Sequence, residues 1–104
     1  MKKVIDGKVY NTETAERIFS WDNGRYGNDF RNRSKDLYRT KKGNYFIYHS
    51  GGPMTDMAIS VGSNSTSGSS DIEAITTQEA IAFLQGKNAV EILERLFPET
   101  LEEA

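Results

Sequence analysis

The chain has 104 residues, 37% of them hydrophobic and 27% charged, with a formal net charge of −2 and no cysteine. That length makes one domain with a real core, though not a deep multilayered one. Disulfides and thiolate metal sites are excluded, no apolar run approaches the ~20 residues that span a bilayer, and the total charge predicts no polyanion partner.

The distribution of charge says more than its sum. Residues 1–50 hold eleven Lys/Arg against six Asp/Glu, a net of +5, and residues 51–104 hold two against nine, a net of −7. Such asymmetry predicts one basic face and possible contact with nucleic acid, unless the two halves fold together and partly cancel. The opening MKKVIDGK lacks an apolar h-region, so no signal peptide is expected and the composition fits a cytoplasmic protein.

In chain order, Val4 to Tyr10 reads as a short hairpin, because Asp6-Gly7 between apolar residues is a strong turn signal. Residues 11–22 read as a helix. Asn11 or Thr12 caps it, Glu13 and Glu16 occupy its first turn, and Ala15, Ile18 and Phe19, with Trp21 at the margin, form its inward face. Residues 22–35 are polar and read as a loop, with one helical turn near Asp29 to Arg33.

Asp36 to Ser50, DLYRTKKGNYFIYHS, is the central hairpin. Its aromatic and β-branched residues suit strands, and Gly43 supplies the positive φ of the turn. Which of Tyr45/Ile47 or Phe46/Tyr48 faces inward is a register question. Gly51-Gly52-Pro53 breaks the strand, Met57 to Val61 forms another, and residues 62–70 read as a flexible Ser/Gly loop or a long hairpin connection. Ile72 to Ile75 is a last short strand.

Thr76 and Glu79 then have capping-box spacing for a helix that Gly86 stops. Asn88 to Glu91 can cap a second helix, which ends before Pro98. It is apolar over much of its circumference, so it is either buried or half of a homodimer contact, with burial favoured. The tail, residues 99–104, is acidic and expected to fray.

These elements predict an α+β fold in a single domain, 1–104: a small antiparallel sheet of about four to five strands with helices packed on one face. The expected core is Val4, Val9, Ile18, Phe19, Leu37, Phe46, Tyr48, Ile59, Ile72, Ile75, Ile81, Leu84, Ile92, Leu93 and Leu96.

No catalytic residue and no metal site is assigned, and no cofactor motif is present. The carboxylates are scattered, and the glycines form neither GxGxxG nor a P-loop. His49, the sole histidine, cannot pair with its neighbour Ser50 as nucleophile and base, because adjacent strand residues face opposite ways. It could serve as a general base beside Arg or Lys. The best binding candidate is the basic and aromatic segment of Arg25, Tyr26, Phe30, Arg31, Arg33, Lys35, Arg39, Lys41 and Lys42, with Tyr38 interleaved. Forked arginines bind phosphates and aromatics stack on unpaired bases, so this mixture suits RNA or single-stranded DNA. The competing reading is a solvated loop and ordinary hairpin lysines that blunt a strand edge.

Three phrases, VIDGKVYNTETAERI, LYRTKKGNYFIY and GGPMTDMA, followed by a polar Gly/Ser/Asn segment and an acidic helix containing EAIAFL, resemble a family of short proteins of bacterial plasmids, prophages and other mobile elements. The resemblance covers roughly Lys3 to Leu84. Some members of that family look like anti-CRISPR inhibitors of type II CRISPR effector nucleases. The resemblance implies a non-enzymatic protein of the host cell cytoplasm that binds such an effector or blocks its guide-RNA assembly, and carries over no catalytic residue. Two other readings stand beside it. One is a small RNA- or DNA-binding accessory protein of a mobile element, and the other is a nuclease dependent on His49.

Overall fold

Local turn chemistry sets the first element. Asp6 and Gly7 both adopt positive φ, 50° and 76°, the pattern of a type I′ turn, and join β1 (Lys2–Ile5) to β2 (Lys8–Asn11) as the Asp-Gly signal predicts. The computed structural model describes residues 1–25, 29–62 and 65–104. A four-stranded antiparallel sheet of order β3-β4-β5-β8 follows, built from β3 (Glu16–Asp22), β4 (Arg33–Arg39), β5 (Tyr45–Gly51) and β8 (Ser69–Ile75). A small separate ribbon pairs β6 (Ile59–Gly62) with β7 (Ser65–Ser67). The fold is α+β, with α1 (Thr77–Gly86) and α2 (Val90–Leu96) at the end of the chain. Among the described residues no helix is long and apolar enough to cross a membrane.

The central hairpin forms as expected. Its two strands pair from Arg33↔Gly51 to Arg39↔Tyr45, and Gly43 carries the turn at φ 86°. The register question has a two-sided answer, because both faces of this sheet are covered. Tyr45 and Ile47 point toward the helices, where they join Ile18, Leu37, Ala80, Leu84, Leu93 and Phe97. Phe46 points the other way into a second cluster with Tyr10 and Ile72, roofed by the β1–β2 hairpin. Phe46 stacks on Tyr38 at 5.0 Å and meets Tyr10 edge-on at 5.5 Å, geometries that aromatic pairs prefer.

Residues 16–22 are a strand, not the predicted helix. The register slips between Arg17 and Phe19, so Ile18 is an extra residue in β3. Consecutive strand residues normally alternate faces, but this bulge lets Ile18 and Phe19 both reach the helix-side cluster. Ile18 and Phe19 at consecutive positions, with Trp21 two beyond, therefore mimic the apolar spacing of a helical face. The predicted caps become a turn, with Thr14 and Ala15 donating to the Asn11 carbonyl.

Three further expectations change. Val4 and Val9 are a cross-strand pair on the outer face of the first hairpin, 67% and 59% exposed, because alternation commits Ile5 and Tyr10 to the sheet side. Ile59 is exposed on the β6–β7 ribbon. Within the 62–70 segment, read as a flexible loop or a long hairpin connection, Ser65–Ser67 form β7 and Ser69 starts β8, with Ser69 and Ser70 pairing with Gly51 and Ser50 in the main sheet; residues 63 and 64 lie outside the described residues. The chain crosses tightly here, since a Cβ on Gly68 would collide with the Gly51 carbonyl oxygen.

The first helix follows its sequence signals, and the second lacks the cap expected from Asn88 to Glu91. Thr76 accepts from the Glu79 amide and Glu79 reaches back to the Thr76 amide, a complete capping box. The second helix lacks a side-chain cap and starts after Ala89. It packs into the helix-side core through Leu93, with Ala89 and Phe97 buried at its ends and Ile92 and Leu96 against them. The tail begins with a 3-10 turn, Pro98–Thr100, and returns Leu101 to the same core.

Candidate functional site

Strand geometry divides the basic segment. Arg33 and Arg39 open and close β4, six residues or about 20 Å apart along the strand. Tyr26 lies outside the described residues. Arg25 and Arg31 both reach Asp29, at 3.2 and 3.8 Å, and Phe30 between them is 65% exposed. The backbone amide of Arg31 donates to the same carboxylate and, with Arg25, holds it below the usual range. Arg39 pairs with Glu16 at 3.2 Å across the sheet edge. Tyr38 lies beneath the hairpin, where burial pushes its hydroxyl pKa above the ordinary value and nearby Asp36 adds to the effect.

Arg33 is the most enclosed of these cations, with its side chain only 10% exposed. It donates to Asp56 at 2.7 Å, to the Ser34 carbonyl at 2.7 Å and to Nδ1 of His49 at 2.8 Å. His49 in turn meets Glu73 through Nε2 at 2.8 Å. A guanidinium has only donors, so Nδ1 carries the lone pair and Nε2 carries the proton given to Glu73. The relay Asp56–Arg33–His49–Glu73 thus crosses three neighbouring strands and clamps the loop after β5. The Arg33 hydrogen bond holds Asp56 below the ordinary carboxylate range, and Lys3, at 2.7 Å, does the same for neighbouring Asp71. Both ring nitrogens of His49 are occupied, and no third metal-ligating side chain gathers with this imidazole among the described residues.

Lys41 and Lys42 are arranged differently. The β4–β5 turn holds them out into solvent: the Thr40 amide donates to the Asn44 carbonyl, the Gly43 amide donates to the Thr40 carbonyl, and the Thr40 hydroxyl accepts from the Asn44 amide. Facing this turn, the folded-over first hairpin delivers Lys8. The two turns enclose an open cleft of about 430 Å³, lined by Lys8, Lys41, Lys42, Thr14, Thr40 and Asn44 with Tyr10 and Val9. No carboxylate lines it, and Lys8, Lys41 and Lys42 take part in no ion pair among the described residues. A second open groove shares Lys41 and Lys42 and continues past Arg39 and Glu16 to the edge of the sheet.

Three lysines, each ending in a three-donor point charge, and two threonines lining one cleft make a surface for phosphate oxygens. Lys41 and Lys42 belong to the segment singled out by sequence. Lys8, Tyr10 and Thr14 do not, because only the docking of one hairpin on another, more than thirty residues away, brings them there. Lys35 also stands apart from the cleft, with its ammonium 6.0 Å from the Trp21 ring.

Fold and cleft together define a small α+β protein with a cationic, hairpin-built groove. Comparison with protein-family models, with curated proteins and with solved structures finds no match.

Proposed function

We propose that this chain is a non-catalytic nucleic-acid-contacting protein that inhibits a type II CRISPR effector nuclease by interfering with assembly of its guide RNA. The observation that carries the reading is the cleft of three lysines that, among the described residues, take part in no ion pair and share the lining with no carboxylate. Phosphate backbones are bound by such cations, and release of counterions makes that binding salt-dependent. The likeness of its sequence phrases to the mobile-element family supports the choice of target. The full occupation of both His49 nitrogens counts against the nuclease reading.

The test is capture of a purified type II effector, with and without guide RNA, followed by DNA cleavage at rising concentrations of the chain. Stoichiometric loss of cleavage when the chain is added before guide RNA, and little loss when it is added afterwards, supports the proposal. Undiminished cleavage across several effectors, with tight binding of free RNA, favours the second reading, a mobile-element RNA- or DNA-binding accessory protein. That reading rests on the same cleft and needs no effector.

A further inference from the structure

Trp21 is the sole tryptophan of the chain. It lies near the end of β3, an edge strand of the four-stranded sheet, and is neither buried nor fully exposed. Its neighbours are cationic. Lys35 is its cross-strand partner on β4, and Lys87, the residue that caps α1, places its ammonium 3.8 Å from the indole centroid. The negative end of the helix dipole favours a cation at that position. Lys35 and Lys87 take part in no ion pair among the described residues.

We propose that Trp21, with Lys35 and Lys87, is a second contact for single-stranded nucleic acid, in which an unpaired base stacks on the indole while the lysines meet the flanking phosphates. The proposal rests on the nucleic-acid reading of the lysine cleft and extends it to a separate site.

Relative strengths favour the exchange. A cation over a partly exposed ring binds more weakly than a base stacked on an aromatic side chain. A base can therefore displace the Lys87 ammonium, which remains free to bind a phosphate. A duplex keeps its bases within the stack, so the expected ligand is single-stranded. The placement also suits one continuous strand. Trp21 lies five residues, about 17 Å, along β3 from Glu16, which borders the groove beside Lys41 and Lys42.

The indole reports its own contact. The full chain is titrated at low salt with a single-stranded oligoadenylate of about 12 nucleotides, while anisotropy of a labelled end and tryptophan emission are followed together. Quenching that saturates with the anisotropy midpoint is expected, and Trp21→Ala should weaken binding roughly 5- to 150-fold. Binding by anisotropy with unchanged Trp21 emission overturns this site and leaves the cleft standing. Equal quenching by inorganic phosphate also overturns it, since an anion at Lys87 then explains the signal without a base. No anisotropy change at all removes the parent reading and this one together. If Trp21→Ala does not fold, Lys87→Gln gives the second measurement: it should shift the anisotropy and quenching midpoints together, and separate shifts contradict a shared site.

Discussion

Arg33 holds His49 in one tautomer. The guanidinium lies 2.8 Å from Nδ1 and can only donate, so the imidazole must accept there and donate from Nε2 to Glu73. Nitrogen-15 NMR of the folded chain should show, for the neutral imidazole, an unprotonated Nδ1 and a protonated Nε2. The reverse pattern would contradict the relay. His49→Leu leaves an enclosed Arg33 donor without its acceptor and should cost about 1–3 kcal/mol in urea unfolding. His49→Asn, which keeps an acceptor near the Nδ1 position, should lose less.

The acid limb of stability follows from the same surface. Asp56 and Asp71 are held below the ordinary carboxylate value of 3.8, Asp56 first by Arg33 and Asp71 first by Lys3. A depressed folded-state value means that the stabilisation is present above about pH 4 and is lost as pH falls through the lowered values. Both side chains are more than half exposed, at 72% and 53%, so solvent screening keeps each contribution under about 1 kcal/mol. Asp56→Asn should flatten the fall of stability between pH 4 and lower values, measured by denaturant midpoints across pH. An unchanged slope would show that the Arg33 pair adds nothing to folding.

The crossing at Gly68 should be far less tolerant than the turn at Gly43. A Cβ on Gly43 meets nothing within 4 Å, and the positive φ alone penalises alanine, by about 1–2 kcal/mol. A Cβ on Gly68 meets the Gly51 carbonyl, a backbone atom that no rotamer change can clear. Gly68→Ala should therefore destabilise the chain more than Gly43→Ala in parallel thermal melts. Equal midpoints would mean that the β7–β8 junction does not cross β5 as described.

Much of the fold is written in local signals. Asp6-Gly7, Gly43 and the Thr76–Glu79 capping box each place an element where it is found. The failures have a shared physical cause. Ile18 and Phe19 reach one face only because the bulge opposite β4 places both there, and β8 extends through serines because β5 offers its ladder to them. Both facts depend on partners distant in sequence. The candidate site divides similarly. Lys41 and Lys42 stand out in the sequence, and Arg25 and Arg31 meet the nearby Asp29, but nothing near Arg33 or Arg39 in the sequence reveals that they meet Asp56 and Glu16, and Lys8 enters the cleft only through tertiary docking.

The two-faced sheet separates Phe46 from Val4, both of which the sequence pattern places in the core. Phe46→Ala should cost about 3–5 kcal/mol, because its ring is fully buried between Tyr10 and Tyr38 under the first hairpin. Val4→Ala on the outer side of that hairpin should stay within about 0.5 kcal/mol. Similar costs in chemical denaturation would mean that the hairpin does not roof the sheet.

The most direct test of the central claim is the salt dependence of single-stranded RNA binding, compared between the chain and its Lys8→Ala/Lys41→Ala/Lys42→Ala variant. Three phosphate contacts predict a slope of log K against log salt steeper than the variant's by about 2. Such a difference, with the variant folded and weak at every salt concentration, is the expected result. Equal affinity and equal slope for the two proteins would contradict nucleic-acid binding at the lysine cleft.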